Sequence, residues 1–159
     1  MQFFEAYINY RNSKEIADYY FTALRSALPT TISSELPVFS CGDVLVHSVK
    51  DQATLPMLVA DTIAQLKRDY YENEIGIVCL GAYKLDFKDL SKRGIHFTTD
   101  LKNNKNVLIT IPRCFRGHEK KAVIVCSPKV ESIKDKIGKA INAYIAYSRA
   151  RDRLIIFEY

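Results

Sequence analysis

The chain lacks the short signatures that most often betray an enzyme. No Gly-x-x-x-x-Gly-Lys-Ser/Thr run occurs in its 159 residues, so it cannot by itself build the phosphate-cradling loop of a P-loop NTPase. No expected strand ends in paired acids that would hold magnesium. Its four cysteines (Cys41, Cys79, Cys114 and Cys126) form no Cys-x-x-Cys pair, and His47, His96 and His118 have no ligand-like spacing with them. A metal centre is therefore not indicated. Three of the cysteines lie in strand-like apolar surroundings and read as reduced core thiols rather than disulfides. No apolar run approaches the ~20 residues of a membrane span, and no charged region followed by an apolar segment opens the chain. These absences together predict a cytoplasmic protein with no membrane partner. Internal repeats and low-complexity segments are also missing.

What remains is an ordinary globular composition, 48% hydrophobic and 26% charged, long enough for one domain with a real core. The charge is lopsided. Residues 1–101 carry 10 Lys/Arg against 13 Asp/Glu, a net of −3, whereas residues 102–159 carry 13 against 5, a net of +8. All of the overall excess of +5 lies in the last third. Such asymmetry suits a polyanion partner, or else a solvated basic surface.

Apolar spacing predicts alternating helices and strands. Asn12 reads as a helix N-cap with Glu15 three residues on, a capping-box arrangement. The helix would run to about Leu28, with Ile16, Tyr20 and Leu24 inward and Pro29 just beyond its end. Val44-Leu45-Val46 is strand material. A helix over 51–71 follows, with Leu55, Val59, Ile63 and Leu66 as its stripe. Ile75 to Leu80 reads as a fully buried strand. A brief helix over 84–93 ends at Gly94, and short strands are expected at 95–97, 107–111, 122–126 and 154–157. The last helix would turn Ile133, Ile137, Ile141, Tyr144 and Ser148 to one side. This pattern predicts an α/β domain with a mostly parallel central sheet, whose ligands would bind at the carboxyl ends of the strands.

Arginines stand at suggestive places. Arg149 and Arg151 lie where the last helix meets the last strand, Arg113 and Arg116 in the loop after 107–111, and Arg11 just before the first helix. A guanidinium fixed between a helix and a sheet is a rigid, always-charged fork that fits phosphate.

Three of these segments together resemble the second RecA-like domain of UvrD/Rep/PcrA-type superfamily 1 helicases. Asn9-Tyr10-Arg11-Asn12-Ser13 resembles motif IV of that family. Phe115-Arg116-Gly117-His118-Glu119 resembles motif V, and the segment from Ala143 to Leu154 resembles motif VI. Order and spacing match over essentially the whole chain. The resemblance implies a three-layer RecA-like fold without a Walker A loop. It also implies ATP, with Mg2+ held by another domain, in a cleft between this domain and an N-terminal RecA-like domain of the same parent chain. Arg149 would be the arginine finger and Arg11 a second γ-phosphate contact. Tyr10 would stack on adenine, Glu119 would accept from the ribose, and Gly117 would let the loop turn closely. Simpler readings stand beside these: Tyr10 as a core aromatic, Arg11 paired with Glu15, Glu119 paired with Lys120 or Lys121, and Arg151 as structural.

The chain departs from the family pattern in several places. The Thr-x-His step that touches single-stranded DNA is here Ile111-Pro112-Arg113, with Thr110 beside it; Arg116 replaces a lysine and His118 a leucine. Backbone phosphate contact by Thr110, Arg113 and Arg116 survives these changes, while the apolar anchor under the loop is expected to be lost. Only the stretch from Thr98 to Val107 fills the place of the large helical insertion, so residues 1–159 are expected to form a single domain of the compact branch, excised from a larger helicase. The expected function is the C-terminal motor domain of an ATP-dependent DNA helicase or translocase that grips single-stranded DNA, inactive alone. A stand-alone basic nucleic-acid-binding module on the same fold is the alternative.

Overall fold

A computed structural model describes residues 12–29, 42–81, 87–129 and 136–159. Tyr10 and Arg11 lie outside the described residues. So do Cys41, Ile133 and residues 130–135, over most of which the last helix was expected to begin.

The order of elements is α1 (Lys14–Ala27), β1 (Asp43–Ser48), α2 (Leu55–Leu66), β2 (Ile75–Cys79), α3 (Phe87–Lys92), β3 (Phe97–Thr98), β4 (Val107–Thr110), β5 (Lys120–Ser127), α4 (Lys136–Tyr147) and β6 (Ala150–Glu158). The six strands form one sheet in the order β1-β6-β5-β2-β4-β3, and every neighbouring pair is parallel. The α/β architecture expected from the alternating pattern is therefore present, with helices on both faces.

Strand alternation explains the layering. Along β5, Ala122, Ile124 and Cys126 join a core with Leu55, Val59 and Ile63 of α2 and Leu90 of α3. Their neighbours Val123 and Val125 join a second core with Ile16, Tyr20 and Phe21 of α1 and Ala143, Ala146 and Tyr147 of α4. Successive side chains of a strand point to opposite faces, so a strand buried on both sides must be apolar throughout. Burying each Ile, Val or Leu stabilises the fold by roughly 1.5–3 kcal/mol.

The boundaries correct the sequence reading at four points. Ser13, not Asn12, caps α1: the Ser13 Oγ accepts from the Ile16 amide at 3.4 Å, and the box with Glu15 does not form. Asn12 is diverted to the far end of the chain, as described below. The helix expected over 51–71 is shorter. Asp51 caps a separate 3-10 turn at Gln52–Thr54, and after Leu66 the chain tightens into three-residue turns, with Arg68 bonded to Gln65 and Asp69 to Leu66. On α4 the stripe is rotated. Ile137 and Ile141 are exposed, whereas Ala143, Ala146 and Tyr147 face inward, because small residues let α4 approach the aromatic side of α1. Finally, β6 starts at Ala150, so Arg151 and Arg153 sit within the strand; their polar side chains hid its first half from a hydropathy reading.

Among the described residues, no helix is long and apolar enough to cross a membrane.

Candidate functional site

The described parts of the three motif-bearing segments, Asn12 and Ser13 for the first, meet at the amino end of the sheet. Arg149 occupies the turn between α4 and β6, so in a parallel sheet it stands where strands begin. The sequence reading placed ligands at the carboxyl ends; the arginine cluster is on the opposite edge, because a residue that enters a strand lies at its amino end. Lys120 opens β5 beside Ala150 of β6, and its amide donates to the Arg149 carbonyl at 3.0 Å. Glu119 and Arg149 are thereby brought to the same edge.

Asn12 fastens the third segment there. It is 1% exposed, and its Nδ2 donates to the carbonyls of Ser148 at 2.9 Å and Ala150 at 2.5 Å, the residues on either side of Arg149. Its Oδ1 accepts from the Tyr20 hydroxyl at 3.1 Å, so both ends of the amide are used. The Ser13 amide donates to the Arg151 carbonyl at 3.2 Å. This junction also requires Gly42, which the sequence reading missed: a Cβ there would collide with the Ser13 side chain and lie 2.7 Å from the Asp152 carbonyl oxygen. Only an otherwise unexplained glycine immediately before β1 could have signalled it.

Arg149 is half-buried and tethered rather than free in solvent. Its Nε donates to the Ile145 carbonyl at 3.2 Å and its Nη2 to the Ser148 Oγ at 3.2 Å. The guanidinium thus partners one of the carbonyls that a helix C-terminus leaves open. Glu119 lies 3.9 Å from Arg151. Lys121 pairs instead with Glu74 at 2.6 Å, and that hydrogen bond holds the Glu74 carboxyl below its usual range. Lys120 reaches the Asn73 carbonyl at 2.5 Å, and burial lowers its ammonium.

The loop of residues 111–119 is anchored by Phe115, which is fully buried and packs in the α1/α4 core. The apolar anchor expected to be lost with His118 is therefore supplied three residues earlier. Gly117 has φ +82, a left-handed backbone that glycine adopts without strain, and the His118 amide closes the turn onto the Phe115 carbonyl at 3.1 Å. Arg113, Cys114 and Arg116 are exposed on this loop. Cys114, on this exposed loop, lies outside the reading of three strand cysteines as core thiols. Cys79 and Cys126 do fit it, lying buried and opposite each other on β2 and β5. A hydrogen bond that the Cys126 thiol donates to Cys79, together with burial, pushes that thiol up, which makes it inert as a nucleophile.

Thr110 is not brought to the arginine edge. Through β2 it is level with Val125, five residues along β5 from Lys120, a span of roughly 16 Å at strand rise. The site residues named from the sequence thus fall into two groups, joined by the loop that carries Arg113 and Arg116. Among the described residues, no group of three or more His, Cys, Asp or Glu side chains could hold a metal ion.

No protein-family model matches this chain, and no curated protein does. A solved structure does match: the C-terminal domain of a possible DNA helicase from Lactobacillus plantarum WCFS1 superposes with a TM-score of 0.65, over 94% of this chain and 87% of that one. The two share a fold. Their sequence identity is 20%, so the likeness concerns architecture rather than individual side chains.

Proposed function

We propose that this chain is the C-terminal motor domain of an ATP-dependent DNA helicase or translocase. The observation that carries the reading is the clamp by Asn12 on the two carbonyls flanking Arg149, with Glu119 held at the same edge through Lys120. Segments far apart in sequence are fastened into one rigid corner that presents an arginine and a carboxylate together, which is what a shared nucleotide site needs from its second domain.

In this reading an N-terminal RecA-like domain binds ATP and its Mg2+. Arg149 stabilises charge on the transferring phosphoryl group, and Arg11 adds a second cation. Tyr10 stacks on the adenine, Glu119 accepts from the ribose, and Gly117 gives the loop its close turn. Arg149 must first exchange its bonds to Ile145 and Ser148 for phosphate oxygens, which couples cleft closure to the end of α4. Glu119 would exchange Arg151 for ribose in the same way. Thr110, Arg113 and Arg116 contact the backbone of single-stranded DNA, so the loop of residues 111–119 links the nucleotide edge to the strand.

The test joins this chain to its ATP-binding domain. Arg149→Ala should lower hydrolysis by about 10³-fold or more while leaving the melting curve of this domain nearly unchanged; turnover near that of the wild type would refute the finger assignment. The chain alone should hydrolyse no ATP.

The basic last third favours a second reading, a stand-alone nucleic-acid-binding module. Tight single-strand binding by this chain alone, falling steeply with salt, would favour that reading over the motor domain.

A further inference from the structure

A cavity lies at the other end of the sheet, away from the arginine edge. Near the amino end α1 and α4 close on bulky contacts, with Tyr20 edge-on to Tyr144 at 5.3 Å between ring centroids. Towards the carboxyl ends of β5 and β6 the facing residues become small, Ala23 and Ala27 on α1 against Ala140 and Ala143 on α4, and a cavity of about 250 Å³ opens between them.

Its polar groups converge. Glu158, the last residue of β6, and Ser127, the last of β5, form the floor, and Lys136 and Lys139 border it from α4. Tyr147 leans back along α4 towards these groups, as long helical side chains do, and stands 5.5 Å from the Tyr19 ring. Tyr147 is 5% exposed and lines the cavity, yet its hydroxyl has no hydrogen-bond partner among the described residues. That hydroxyl opens onto the cavity, where a bound ligand would accept from it. Burial, with the charge of Tyr19 and Glu158 nearby, pushes that phenol well up, so it stays a neutral donor.

We propose that this cavity binds a nucleoside monophosphate, base inward against Tyr19 and Tyr147, amino or ring N–H donors on Glu158, and phosphate at the mouth on Lys136, joined by Lys139 once it exchanges the Pro128 carbonyl, to which its Nζ donates at 2.5 Å. The lining favours this class because it combines apolar walls, neutral phenols, one carboxylate and two ammonium groups. Inorganic phosphate would leave the walls unused, and a nucleoside would leave the lysines unused. The carboxyl edge of an open parallel sheet is also where nucleotides bind in many α/β folds. The inference is independent of the function proposed for the arginine edge.

The experiment is calorimetric titration of this chain with each nucleoside 5′-monophosphate, with the matching nucleosides and inorganic phosphate, and with a short 5′-phosphorylated single strand. One monophosphate should bind at least about tenfold tighter than its nucleoside or than phosphate. The phosphorylated strand should bind comparably if a strand end is the natural source, and more weakly if a free nucleotide is. Tyr147→Phe should weaken binding about tenfold, the worth of one good hydrogen bond. Ala140→Leu should abolish it by filling the space. Failure of every monophosphate to saturate at millimolar concentration overturns the proposal. So does binding unchanged in both variants, or phosphate alone binding as tightly as the nucleotide. If Ala140→Leu does not fold, Tyr147→Phe decides alone.

Discussion

The side-chain amide of Asn12 donates to the carbonyl of Ala150 at 2.5 Å, across 138 positions of sequence. With its second bond to Ser148 it ties the start of the first helix to the turn that carries Arg149. Replacement by alanine leaves two buried carbonyls and the Tyr20 hydroxyl without this partner. Asn12→Ala should cost about 2–4 kcal/mol and lower the melting temperature by several degrees, read by calorimetry. A loss below about 0.5 kcal/mol would show that water replaces the amide.

Gly42 and Gly117 separate two reasons for glycine. At Gly42 an added Cβ meets Ser13 and the Asp152 carbonyl, so Gly42→Ala must push α1 away from β6. A cost of about 1–3 kcal/mol is expected, with faster amide exchange at Ser13. At Gly117 nothing lies within 4 Å of an added Cβ, and only the positive φ opposes substitution. Gly117→Ala should cost about 1–2 kcal/mol, with exchange changes confined to residues 111–119.

Phe115 holds that loop from beneath. Phe115→Ala should cost about 3–5 kcal/mol as a large buried side chain is lost. Arg113→Ala and Arg116→Ala, both at exposed positions, should leave the melting curve within about 0.5 kcal/mol of wild type. If the loop grips a phosphate backbone, each should reduce the salt slope of single-strand binding by about one. An unchanged slope in both would remove the loop from the nucleic-acid interface.

Tyr147 sets an alkaline limit on stability. Its phenol is raised in the folded chain, by burial first and then by Tyr19 and Glu158. Unfolded chain binds fewer protons than folded chain once the pH passes the ordinary tyrosine value of 10.0. Its contribution is therefore intact below that pH and is lost as the pH rises towards the folded value. Tyr147→Phe should flatten the fall in melting temperature above pH ~10 and leave the neutral range nearly unchanged. An identical alkaline slope in the variant would place the titration elsewhere.

The sequence carried most of the architecture because two-sided burial writes itself in apolar runs. Ile75 to Cys79 and Ala122 to Cys126 had to be inner strands, since no polar residue interrupts them. The inward stripes of α1 and α2 were equally legible from helical spacing. What sequence could not show was competition between two acceptable partners. Asn12 makes a good cap by type, yet buried carbonyls at Ser148 and Ala150 take its amide, and Ser13 caps instead. On α4 both the isoleucine and the alanine stripes have helical spacing. Close approach to the aromatic side of α1 selects the alanines.

By itself, then, the sequence determined the α/β class, the core strands and the residue types able to meet a phosphate, because periodicity and charge are local properties. Tertiary structure decided which edge those residues occupy, that Thr110 stands apart from Arg149, and that a cavity opens at the opposite end. These depend on strand register and on how closely two helices can approach. Both are set by contacts between residues far apart in the chain, so neither is written in any single segment.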